Sequence, residues 1–266
     1  MVGIVEKIGA TVLVGFIGLA VISFVLPRDE LVCGLIDPDD LVYSPPSAEH
    51  ILGTDFMGRD LFRQVCSGAF SALWYGLWWS VVGVPVLVGA AFIMARQREE
   101  TPQLEDTAVT RYCGFIAFPL CVVGLLLGIT FLLASFLGRV LWIHTLLFAG
   151  AIGLMGWLAV GHDIEVKFRK GEKIPQRLFL SGAALIGSYA AIYDAIVSFF
   201  GFGDPMFTTW GMLIGWCFRA GYGFEAVHWW LPPIICIYIF SRGMLFLSYG
   251  LYNASSEKYF VKEGWF

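Results

Sequence analysis

The sequence predicts an all-α integral membrane protein of six transmembrane helices, with a polar segment held outside the bilayer. Three observations carry that reading. Of the 266 residues, 58% are apolar and only 14% charged, against about 25% charged in an ordinary soluble domain. The mean hydropathy is +0.75, which implies more apolar surface than one water-soluble core can bury. The apolar residues also fall into six runs, each near the roughly 20 residues that cross the hydrocarbon as a helix.

The first run is about 8–26, "IGATVLVGFIGLAVISFVL". It is too long for the apolar region of a cleavable signal and no small-residue cleavage site follows it, so it is expected to remain as a helix. The second, about 70–95, lies inside an uncharged stretch from 64 to 95. The third and fourth, about 113–135 and 140–161, are joined by a tight turn at Gly138-Arg139. The fifth is about 178–200, and Gly201 and Gly203 end it because glycine tolerates the left-handed cap. The sixth is about 229–252. Trp210, Trp216, Trp229 and Trp230 suit the aromatic belt at the membrane surface.

Lysine and arginine stay on the cytoplasmic side. With six spans both termini share one side, and eleven basic residues fall there: Lys7, Arg96, Arg98, Arg111, Lys167, Arg169, Lys170, Lys173, Arg177, Lys258 and Lys262. The other side holds five, namely Arg28, Arg59, Arg63, Arg139 and Arg219, and the segment 27–67 has eight acids against three bases. Both termini are therefore expected in the cytoplasm, with 27–67 forming an external cap. The six cysteines (Cys33, Cys66, Cys113, Cys121, Cys217, Cys236) show no CxxC spacing and read as small apolar residues of helix interiors.

The stretch "SPPSAEHILGTDFMGRDLFRQVCSGAFSALWYG" (44–76) resembles the segment before the second helix of the dipeptide/oligopeptide/nickel-type permeases of ABC importers. The resemblance rests on Pro45, Pro46, Ser47, His50, Leu52, Gly53, Thr54, Asp55, Gly58, Arg59 and Asp60. It continues, in order, through "VVGVPVLVGAAF" (81–92), "AFP" (117–119), "DAIVSFFGFGDPMFTTWGML" (194–213) and "HWWLPPI" (228–234). The resemblance implies a type I importer permease bundle formed by a single domain, 1–266. It further implies a second homologous permease, cytoplasmic ATPases, an extracytoplasmic solute-binding protein and surrounding lipids as partners. Short peptides or a nickel-type complex would be the cargo, and no nucleic acid or cofactor is expected.

The cap residues also have a reading of their own. Gly53 and Gly58 bracket Asp55, whose side chain can cap a helix start. From Asp60 onward Leu61, Val65 and Phe70 recur near helical spacing, which suggests an interfacial amphipathic helix lying flat before the chain enters the membrane. The segment either braces the bundle as a re-entrant plug or meets the binding protein, and the two roles are compatible.

The resemblance breaks in the cytoplasmic loop "GHDIEVKFRKGEKIPQR" (161–177). Permeases of this type carry there a Glu-Ala-Ala motif and short helices that seat in the ATPase. Here Gly171 and Ile174-Pro175 are present, but there is no Glu-Ala-Ala and there is too little chain for two coupling helices. Glu165, Lys167, Arg169, Lys170 and Gly171 are the candidates for a reduced contact with an ATPase. The alternative is a permease-derived structural subunit of a larger membrane complex, for example a respiratory one, in which the basic loop is only a topology signal. A bacterial or archaeal inner membrane is the expected address, or an organellar one if the chain has been co-opted.

Two charged residues fall within predicted spans, Asp194 in the fifth and Arg242 in the sixth. Intramembrane charges are costly and face cavities or pair with one another. Asp194 and Arg242 either form a buried pair or each snorkel to an interface. No catalytic site is expected. His162 and Glu165 are three apart but have no third ligand at useful spacing, and His50, His144 and His228 are scattered. With no GxxxxGK[ST], GxSxG or GxGxxG after a strand, any ATP hydrolysis would belong to another chain.

Overall fold

A computed structural model describes residues 2–25, 44–48, 50–100, 149–150, 153, 160–203 and 207–255, without the side chains of 2, 97–100 and 162. The predicted third helix and most of the fourth lie outside the described residues, as do Cys33, Cys113, Cys121 and the family-like "AFP". Six helices are described: α1 (Val2–Val25), α2 (Leu61–Glu100), α3 (His162–Arg169), α4 (Gln176–Phe199), α5 (Trp210–Arg219) and α6 (Val227–Ser255). Among the described residues α1, α2, α4 and α6 are long and apolar enough to cross a bilayer. α3 and α5, with eight and ten residues, are too short to do so.

Among the described residues no separate helix stands between 44 and α2. The helix expected from Asp60 is the first turns of α2 itself, which runs unbroken from Leu61 to Glu100. Its apolar part, Leu61–Arg96, has 36 residues, roughly 54 Å at the rise of an α-helix. The hydrocarbon is about 30 Å thick, so the helix extends well beyond it.

Contacts divide the chain into two compact units, and each long helix gives one segment to each. The first comprises Met1–Ala10, Gly76–Ala190 and Met244–Phe266, the second Thr11–Tyr75 and Ala191–Gly243.

In the first unit, small residues bring backbones close, as helices in lipid require. A Cβ built on Gly76 would stand 3.4 Å from the Gly187 Cα, and Ser80 Oγ donates to the Ala183 carbonyl at 3.0 Å. Between α4 and α6, Ser181 Oγ donates to the Ser248 carbonyl (2.8 Å) and Ser248 Oγ to that of Ser181 (2.9 Å). Beside them Leu87, Ala91, Val160, Ile164, Leu178, Leu185 and Tyr252 form an apolar cluster.

The second unit is built around aromatic rings. Trp210 is buried, and its indole N–H donates to the Val65 carbonyl at 2.9 Å. Its ring lies over Gly68, where any Cβ would collide with it. Phe16 and Phe240 pack edge-on against it at 5.5 and 6.0 Å. Trp229 is also buried. Trp210 and Trp229 therefore belong to the packed interior and not to the aromatic belt, a correction to the sequence reading. A ring with one N–H to satisfy can donate to a backbone carbonyl inside the protein as well as to the headgroup layer.

α3, α4 and α5 end in one way. Gly171, Gly201 and Gly221 take positive φ of 65°, 88° and 87°. In each case the next residue's N–H reaches the helix carbonyl five positions back: Glu172 to Lys167, Phe202 to Val197, Tyr222 to Cys217. This is the paired backbone closure that glycine after a helix favours.

Candidate functional site

The segment before α2 folds around one carboxylate. Asp55 is fully buried. Its Oδ1 accepts the backbone N–H groups of Met57 (2.8 Å) and Arg59 (2.9 Å). Its Oδ2 accepts Arg59 Nε (2.8 Å) and Gln64 Nε2 (2.9 Å), and the Arg59 Nη2 lies 2.7 Å from it as the other arm of the ion pair. A buried carboxylate is tolerated only when paired and hydrogen-bonded, and here each oxygen has its donors within ten residues of chain. The Arg59 guanidinium also lies 5.0 Å from the centroid of the Trp216 ring on α5, a cation–π contact.

Asp60 does the work expected of Asp55. Its Oδ1 accepts the N–H of Arg63 at 2.8 Å, so Asp60 caps α2 in the usual way of an Asx residue before a helix. Its Oδ2 lies 2.8 Å from His50 Nδ1. Asp55 instead closes the loop before the helix, a role that Asx side chains also perform. Thr54 joins the same construction: its Oγ1 accepts the N–H of Ser44 at 2.9 Å, and it faces Asp60 across a single antiparallel bridge. Gly53 and Gly58 have φ of 78° and 73°, the left-handed region that side chains with a Cβ avoid. At Gly53 a Cβ would also strike the Ser44 carbonyl oxygen.

The underside of this loop is apolar. Leu52 and Phe56 pack on Leu61, Cys217, Ala226 and Trp229, with Phe56 stacked on Trp229 at 6.3 Å and edge-on to Trp216 at 6.2 Å. The sequence reading missed α5, which supplies part of this floor. Its signal was Thr209 before an apolar run too short to span the membrane. Thr209 Oγ1 accepts the N–H of Met212 at 3.3 Å, an N-cap. All seven cap candidates, His50, Gly53, Thr54, Asp55, Gly58, Arg59 and Asp60, thus lie in one hydrogen-bonded loop.

The loop 161–177 is of another kind. α3 is its one described helix. Ile164 is buried in the apolar cluster, with Phe168 and Ile174 packed against it. Glu165 is fully buried, so its carboxylate is not part of the surface that the loop presents. Lys167 reaches Glu172 at 3.5 Å. Arg169, Lys170 and Gly171 are exposed at the turn.

Asp194 and Arg242 are not brought together. Asp194 Oδ1 accepts Ser198 Oγ one turn along α4, at 3.2 Å. Arg242 is exposed on α6, its guanidinium 5.6 Å from the centroid of the Tyr238 ring. Among the described residues no three of His, Cys, Asp and Glu come together as metal ligands.

No family model matches the chain. Proteins from Brucella suis, Brucella abortus and Brucella melitensis, which carry provisional names as peptide transport system permease proteins, are each 28% identical to it over 233 residues. The alignments cover 79% of this chain and 74% of each relative. Together with four apolar helices of membrane-crossing length, this similarity supports an integral membrane protein.

Proposed function

We propose that the chain is one transmembrane permease subunit of an ABC-type importer for short peptides or related small solutes, of the dipeptide/nickel kind. The observation that carries the proposal is the similarity over 79% of the chain to proteins named for peptide transport. The 44–76 stretch, with its buried Asp55, is the most distinctive part of the resemblance. In this reading the subunit sits in a bacterial inner membrane as a six-helix bundle of the type I arrangement. Its termini face the cytoplasm and a second homologous permease lies beside it. ATPases inside hydrolyse ATP, this chain having no phosphate loop, and a solute-binding protein docks outside.

The ATPase contact falls to the exposed turn at Arg169, Lys170 and Gly171, backed by the helix that Ile164 and Phe168 anchor. Purification in mild detergent tests this. A cytoplasmic ATPase at one or two copies, with peptide uptake by reconstituted vesicles, is the expected result.

One observation favours a second reading. A single eight-residue helix offers a motor little to grip, which suits a permease-derived structural subunit of a larger membrane complex. The same purification would then yield a large assembly without an ATPase, and removal of this chain would destabilise that assembly without affecting uptake.

A further inference from the structure

The exposed guanidinium of Arg242 has a consequence for assembly. Arg242 lies fifteen residues after Val227 and thirteen before Ser255, the ends of α6, so it is about 20 Å from either end. With α6 centred in a hydrocarbon layer about 30 Å thick, the guanidinium sits near the midplane. It is then too deep for an arginine to snorkel to either surface. It also lies on the face of α6 that the described structure leaves uncovered, where Leu231, Ile235, Tyr238, Ile239 and Phe246 are exposed. The Tyr238 ring beside it offers a quadrupole, which attracts a cation without neutralising it.

The chain holds few groups that could balance this charge from within. Across the six predicted spans the only acidic residue is Asp194, and that carboxylate is turned to Ser198 on its own helix. The third and fourth predicted spans contain no Asp or Glu. A cation at mid-membrane depth on an uncovered apolar face calls for an anion supplied from outside the chain. The apolar side chains around Arg242 suit a packed helix better than a water-filled path.

We infer that the α6 face around Arg242 is an intramembrane docking surface for a transmembrane helix of a different polypeptide, one that carries an Asp or Glu near the bilayer midplane. The apolar stripe supplies the contact area, and the ion pair fixes which helix binds and at what register, as single buried polar groups do in other helix pairs. A second copy of this chain offers only Asp194, already engaged on α4. The inference rests on the reading of this chain as one subunit of a hetero-oligomeric membrane assembly.

Photo-crosslinking from positions 238 and 239 in native membranes, with the linked residues mapped by mass spectrometry, tests it. Links to a foreign transmembrane helix within one turn of an Asp or Glu are expected. Links only to lipid, to a second copy, or to a helix without an acid overturn it. Arg242→Gln should lower the fraction of chain in the native-gel complex about a hundredfold. Exchanging the two charges, by Arg242→Glu with the mapped acid changed to Arg, should restore it. If wild-type chain migrates alone, the subunit reading fails. If the complex forms equally well with Arg242→Gln, the subunit reading stands and only the docking inference falls.

Discussion

The cap loop at 50–64 and the turn at 161–177 are both short, charged and rich in turn glycine, yet they use their charges in opposite ways. In the cap the charges point inward and answer one another: Asp55 is wrapped by Arg59, Gln64 and two backbone N–H groups. In the turn the apolar residues point inward, and Arg169 and Lys170 are left on the surface. The cap's polar motif therefore maintains the shape of the loop, while Arg169 and Lys170 on the turn face outward, where another molecule can meet them. A charged motif conspicuous in sequence is thus a poor guide to what a protein displays. What separates the two cases is whether the conspicuous charge is buried against its partners, as Asp55 is, or left exposed, as Arg169 and Lys170 are.

The largest effect that would test this contrast is at the buried carboxylate. Asp55→Ala strands the Arg59 guanidinium and the Gln64 amide, and should destabilise the cap by about 3 kcal/mol. Thermal unfolding in detergent should show the loss, with new proteolytic cleavage near 50–64. An unchanged melting curve would mean that the network is not a brace.

Next come two of the glycines with positive φ. Gly53→Ala combines a left-handed backbone with a collision against Ser44 and should cost about 2 kcal/mol or more. Gly171→Ala has the same backbone demand but open space around it, and should cost about 1 kcal/mol. Equal effects would remove the distinction between an enclosed and an open turn. Thr209→Ala, which deletes the cap of α5 beneath the loop, should also cost about 1 kcal/mol, read from the same melting curve.

The smallest effect on stability is expected at the surface of the turn. Lys170→Glu should change stability by no more than about 0.5 kcal/mol, yet it should reduce the amount of ATPase that co-purifies. A large loss of stability would place Lys170 in the structural frame instead.

The parts of the molecule readable from sequence are those governed by local rules. The long apolar helices α1, α2, α4 and α6 announce themselves by length, and Gly201 ends α4 as its residue type predicts. The cap residues were identifiable as a group, but not their division of labour. Asp55 and Asp60 both sit where an Asx cap could, and the choice between them depends on where Gln64 and the N–H of Arg63 come to lie. α5 escaped because ten residues neither span a membrane nor show a long period. Trp210 and Trp229 read as membrane-surface residues because composition cannot reveal that the Trp210 indole N–H reaches the Val65 carbonyl, or that Phe56 stacks on Trp229. Sequence alone groups Glu165 with the basic residues of its loop, although the register of Ile164 and Phe168 on a single short helix carries it inward.

The glycine stops after α3, α4 and α5 bear on how such a chain tolerates change. A helix whose final carbonyls are satisfied by its own backbone does not rely on the sequence that follows to define its end. Residues can therefore be added or removed beyond Glu172 without altering the helix before it, and connection length becomes a quantity that evolution can vary separately from the bundle. A scaffold of self-terminating helices can lose or gain connecting residues and still fold, leaving its interior as it was.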